Sequence, residues 1–129
     1  MLRAGPVICR VLCTFVFCGF GLAHFALSDV LASMIPPALP HPYALVAISG
    51  VCEIAGGIGL WIPRLRRAAG MGLVLLLVCV FPANVYAAQH QIFIPGTEGP
   101  WWTLWVRLPF QLVYVALVIG AAMDRWGRR

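Results

Sequence analysis

The chain has 129 residues, of which 62% are hydrophobic and 10% charged, with a formal net charge of +5 and a mean hydropathy of +0.93. A water-soluble domain carries about 25% charged residues, so this chain cannot cover its surface with polar groups in water, and lipid is its expected solvent. The basic excess does not mark a nucleic-acid binder, because the nine basic residues are all arginine and sit in small groups rather than along one stripe.

Four apolar runs, 11–27, 43–62, 68–88 and 104–123, account for most of the sequence. Each is long enough to cross a hydrocarbon core of about 30 Å, the first and last near the short limit. A backbone in lipid must satisfy its own hydrogen bonds, so all four are expected to be helices. The fold class expected is all-α, a single domain folded as an integral membrane antiparallel four-helix bundle.

The first run follows Arg3 and Arg10, and Gly21-Leu22-Ala23 within it loosely resembles the small-residue cleavage site of a signal peptide. An uncleaved span is expected, since the run continues to Leu27. Ser28-Asp29 comes next, and Asp29 is placed to cap a following segment. Within 35–42 there are four prolines, Pro36, Pro37, Pro40 and Pro42, which exclude regular helix and stiffen the loop. That loop reads equally well as a structural lid or a substrate gate.

The second run carries Glu53 ten residues in. A carboxylate near a membrane midplane costs about 2.5–3.5 kcal/mol even on the lenient insertion scale, so it must be protonated, paired or wet. Ser49, Gly50, Gly56 and Gly57 surround it at helical spacing and form a smooth face for another helix. After Pro63, the cluster Arg64, Arg66 and Arg67 leads through a short turn into the third run. There Pro82 predicts a kink, and Asn84 is placed to meet a freed backbone group or the interior. The segment 89–103 carries Pro95, Gly96, Gly99 and Pro100 and no helical pattern. In the fourth run Arg107, Gln111 and Tyr114 share a face at i, i+4, i+7.

Orientation follows from the cations. Arg3, Arg10, Arg64, Arg66, Arg67, Arg125, Arg128 and Arg129 fall on one side of a four-span chain, and only Arg107 falls on the other. The positive-inside rule makes the first side cytoplasmic, with both termini there. Trp101, Trp102 and Trp105 then mark the outer interface, and Trp61 and Trp126 the inner one.

The five cysteines, Cys9, Cys13, Cys18, Cys52 and Cys79, avoid both outer loops and form no C-x-x-C. They read as packing residues rather than disulfide or redox groups. His24, His41 and His90 lack metal-ligand spacing, so no metal or haem site is expected. Nucleotide-binding and hydrolase motifs are missing as well, so no catalytic residues are assigned. What stands out is a polar cluster inside the spans: His24, Glu53, Asn84, Arg107, Gln111 and Tyr114. At 1.5 Å per residue, His24 lies roughly 5 Å below the outer end of its helix and Glu53 roughly 15 Å. Glu53 reads either as a group holding the helices in register or as a proton carrier or polar anchor in a cavity.

Five segments in order resemble the DoxX family of small bacterial membrane proteins. They are Gly21-Leu22-Ala23-His24-Phe25, Ile35-Pro36-Pro37-Ala38-Leu39-Pro40, the stretch 49–60 with Glu53, the turn Pro63-Arg64-Leu65-Arg66-Arg67-Ala68, and the stretch 80–88 with Pro82 and Asn84. The resemblance implies a four-helix protein of the bacterial cytoplasmic (inner) membrane. It also implies a link to membrane oxidoreductase systems, in which some members serve as membrane subunits. The expectation is an accessory or anchor subunit of a redox system, with no catalysis of its own, whose cavity takes a small lipophilic molecule such as a quinone. Its expected partners are the bilayer and oxidoreductase proteins, and a homo-oligomer is compatible with it. Two rivals remain open: a quinone-linked oxidoreductase subunit using the polar cluster for proton exchange, and a small proton-coupled transporter with Glu53 as the coupling carboxylate.

Overall fold

The structure, a computed structural model, describes residues 4–96 and 98–122. Arg3, Met123, Arg125, Trp126, Arg128 and Arg129, used above for topology and the fourth span, lie outside the described residues. The elements are α1 (Ala4–Ala26), α2 (Ser28–Ser33), α3 (Pro42–Gly59), α4 (Arg66–Gln89) and α5 (Trp102–Ala122), with no strand among the described residues. Four of these helices, α1, α3, α4 and α5, are long and apolar enough to cross a membrane. The protein is therefore all-helical, with the make-up of a multi-pass membrane protein.

Helix α1 begins before the apolar run because Pro6 lies in its first turn, where a missing N–H is tolerated. Its ladder ends as Leu27 N–H donates to Ala23 O at 2.8 Å. The chain bends at Leu27 and resumes as α2, so 28–33 is a short helix rather than loop. Asp29 does not cap it, since no side-chain cap bond forms there. Its carboxylate instead accepts from Tyr43 Oη at 2.8 Å, tying α2 to the start of α3. The prolines act where expected: the chain between α2 and α3 is turn and bend, and Pro42 opens α3 just after a left-handed His41 with φ 53°. Helix α4 is continuous through Pro82, and α5 through Pro109.

Contacts close into a ring in which α1 packs on α3, α3 on α4, α4 on α5 and α5 on α1. Along each contact, rising numbers on one helix meet falling numbers on the next. Thr14 reaches Gly57 while Gly21 meets Gly50 and Ile54; Arg10 reaches Ala121 while Phe20 meets Tyr114. The buried core of Cys13, Phe17, Leu60, Leu73, Leu77, Val118 and Ala121 lies toward the arginine-rich end. Large apolar side chains such as Phe15, Met71 and Leu112 point outward, the reverse of a soluble protein and the arrangement that contact with lipid requires.

Two arginines close that end from inside. Arg10 is 9% exposed and its Nε–H donates to Ala121 O at 2.9 Å. Arg66 is 8% exposed and its Nε–H donates to Leu60 O at 2.7 Å. Both acceptors belong to the ends of helices, α5 and α3, whose last carbonyls have no partner within the helix. A cation there also meets the negative end of the helix dipole.

Candidate functional site

Helices α1 and α3 cross where neither carries a side chain. A Cβ at Gly21 would stand 2.8 Å from Gly50 O, and one at Gly50 would stand 2.9 Å from His24 Cβ. Small residues let helix backbones approach closely in an apolar setting. His24, one turn on from Gly21, and Glu53, one turn on from Gly50, reach toward each other from opposite sides of this crossing, with Nδ1 and Oε2 3.1 Å apart. Glu53 is 5% exposed.

The depth difference read from the sequence disappears here. Because α1 bends into α2 before reaching the loop-side end of α3, the last turn of α1 lies against the middle of α3, and His24 meets Glu53 side by side.

The protonation pattern of the histidine follows from its neighbours. Nδ1 also lies 2.6 Å from Phe20 O, and a carbonyl only accepts, so Nδ1 carries a proton. That N–H is aligned on Phe20 O, one turn back on the same helix. Glu53 Oε2 lies close to the same hydrogen without a well-directed hydrogen bond of its own. A carboxylate beside an imidazole N–H is an arrangement that can hold, pass or take one proton.

The remaining expected members divide. Gln111 is 8% exposed but turns to α4, its Nε2 donating to Leu77 O at 3.4 Å, while Oε1 has no hydrogen-bond partner among the described residues. Tyr114 packs edge-on against Phe20, with ring centroids 5.8 Å apart at 83°. Asn84 is half-buried and makes no hydrogen bond to the pair. It lies on α4, which touches α3 and α5 but not α1.

Arg107 is exposed and does not join the cluster. Helix α1 meets α5 from Cys9 by Gly120 up to Phe20 by Tyr114. Two turns further on, Arg107 lies beyond Ala26, and α2 turns to α3 without touching α5. Within the expected polar cluster there are thus two centres: His24–Glu53 between α1 and α3, and Gln111 with Leu77 between α5 and α4. No three His, Cys, Asp or Glu side chains among the described residues come together as a metal site.

Sequence reasoning missed three features: the role of Phe20 O, the burial of Arg10 and Arg66, and the bond from Trp61 Nε1–H to Thr14 Oγ1 at 2.7 Å. The i, i+4 spacing of Phe20 and His24 is a visible signal for the first. The other two depend on turns whose geometry no periodicity encodes.

No curated protein and no solved structure matches the chain. A family model does match, over residues 13–122, from the buried Cys13 of α1 to the last residue of α5. The chain belongs to the family described as a domain of unknown function (DUF8561).

Proposed function

We propose that this protein is a DoxX-like accessory or anchor subunit of a membrane redox system in the bacterial cytoplasmic membrane, offering a polar site to a small lipophilic molecule of quinone type. It spans the membrane as an antiparallel four-helix bundle with both termini in the cytoplasm. The observation that carries this reading is the His24–Glu53 pair, an acid and an imidazole 3.1 Å apart on helices with the length and composition of spans. Ionisable groups at such positions mark functional sites by default. The arginine distribution supports the orientation, and the ordered resemblance to DoxX segments supports the redox association.

A second reading, proton exchange at the quinone itself, is favoured by the His24 N–H that faces two acceptors.

Purified protein in lipid nanodiscs, titrated with a short-chain quinone and followed by tryptophan quenching, tests both. Saturable binding weakened on the order of tenfold by Glu53→Gln is expected, the worth of one hydrogen bond to a charged group. Wild-type protein that binds no quinone ends the ligand reading. Equal affinity in the variant removes Glu53 from it. Affinity purification from native membranes is expected to recover a reproducible oxidoreductase partner, and a chain that always comes out alone ends the subunit reading. A reporter fused after Arg129 is expected in the cytoplasm.

A further inference from the structure

A groove of about 530 Å³ runs along the outside of the α3–α4 pair, lined only by Gly, Ala, Leu and Cys side chains. Helix packing explains part of that smoothness. A Cβ at Gly56 would stand 2.5 Å from Leu73 Cδ2, and one at Gly59 2.9 Å from Ala69 Cβ. It does not explain Gly72, where a Cβ would meet nothing within 4 Å, nor the exposed thiols of Cys52 and Cys79 on facing walls. The chain leaves this space unfilled, and its size falls within the ~300–1,000 Å³ of sites that take small molecules. Glu53 turns to α1, away from the groove, so the two sites are separate.

The groove ends at Leu65 and Ala68, beside the connecting turn. There Arg66 is turned inward onto Leu60 O, whereas Arg64, next to Leu65, is exposed. An apolar trough open along its length, with an exposed arginine one residue beyond its end at Leu65, matches one kind of molecule, a lipid with an anionic head. A second copy related by a two-fold axis along the membrane normal fits less well, since it brings Arg64 toward its own counterpart, like charge to like. We propose that the α3–α4 groove holds one acyl chain of an anionic phospholipid, with its phosphate at Arg64.

The test uses the full chain in mild detergent with equal amounts of phosphatidylglycerol and phosphatidylcholine, read by native mass spectrometry. Wild-type protein retains one phosphatidylglycerol in preference to phosphatidylcholine by about fivefold, the worth of one cation near an anionic surface. Gly72→Phe places a ring in the groove from a position where an added Cβ meets nothing within 4 Å, and lowers retention of either lipid on the order of tenfold by displacing about two methylenes of contact. Cys52→Phe fills it from the other wall and decides the matter if Gly72→Phe does not fold. Arg64→Gln keeps a bound lipid but loses the preference. Equal retention of both lipids by the wild type overturns the proposal, as does unchanged retention in the groove-filling variants. A dimer that dissociates in those variants while lipid retention is unchanged assigns the groove to a second copy, and also overturns it.

Discussion

Glu53 lies beside a His24 N–H that is aimed elsewhere. The Nδ1–H of His24 points at Phe20 O, 2.6 Å away, while Glu53 Oε2 waits 3.1 Å from the same nitrogen. The imidazole is thereby fixed by its own helix, and Glu53 is held against a donor it does not own. Taking the histidine away leaves the buried Glu53 uncompensated, which costs more than replacing both.

A double-mutant cycle measures this coupling. His24→Phe leaves the carboxyl group of Glu53 without its neighbour at the α1–α3 crossing and is expected to destabilise the protein by ~1–3 kcal/mol. Glu53→Gln, which keeps a polar acceptor, costs less, and the double variant recovers most of the loss from His24→Phe alone. Unfolding in mixed micelles followed by circular dichroism checks it. Additive losses mean that the two groups do not interact.

The crossing that brings the pair together depends on Gly50. An added Cβ stands 2.9 Å from His24 Cβ, 3.0 Å from Gly21 O and 3.0 Å from Phe25 Cε2. A backbone carbonyl cannot swing aside, so Gly50→Ala separates the helices, and overpacking of this kind costs ~1–3 kcal/mol. Gly19→Ala, with nothing within 4 Å of its Cβ, serves as the control. It is expected to be neutral or to gain up to ~1 kcal/mol from helix propensity. Thermal unfolding of both variants in detergent separates the two effects.

Which parts were legible in the sequence follows the same physics. Helix identity came from apolar length, which lipid dictates, so all four long helices appear where the runs lie. Their ends shifted because the chain can continue a helix through polar residues: Arg10 lies inside α1, and Ser28–Ser33 is helical despite its polar start. Pairing within the polar cluster was not legible. His24 and Glu53 meet because of a bend at Leu27 and two glycines in register. Gln111 and Asn84 occupy helices whose ring order separates them from α1 or turns them away. Spacing places a residue on a helix face but does not say which neighbour that face meets.

Arg66 provides a third prediction. Its Nε–H satisfies Leu60 O at the end of α3, where no intrahelical donor remains. Arg66→Met keeps much of the apolar stem and strips the donor, leaving a buried carbonyl unsatisfied at a cost of ~1–3 kcal/mol. Arg66→Lys restores the charge but not the fixed planar donor, and is expected to recover only part of the loss. Unfolding midpoints in the same detergent rank the three proteins, and a lysine variant equal to wild type would show that charge alone suffices at this turn.

Thr14 links α1, α3 and the turn that follows α3 through one hydroxyl. It donates to Arg10 O at 2.8 Å, with Gly57 O a longer 3.4 Å away, and it accepts from Trp61 Nε1–H at 2.7 Å. Trp61 follows α3, so its bond pins the start of the α3–α4 turn to α1. Interhelical hydrogen bonds in membranes average ~0.6 kcal/mol and reach ~1.7 kcal/mol, because alternative partners are available in the unfolded state. The coupling between Trp61→Phe and Thr14→Val is expected inside that range, and Thr14→Ser, which keeps the oxygen, is expected to retain most of it. Hydrogen exchange at the indole gives an independent readout. Trp61 Nε1–H is protected in the wild type and in Thr14→Ser, and exchanges faster in Thr14→Val. Protection unchanged in Thr14→Val would mean that the indole is shielded by lipid rather than by the hydroxyl.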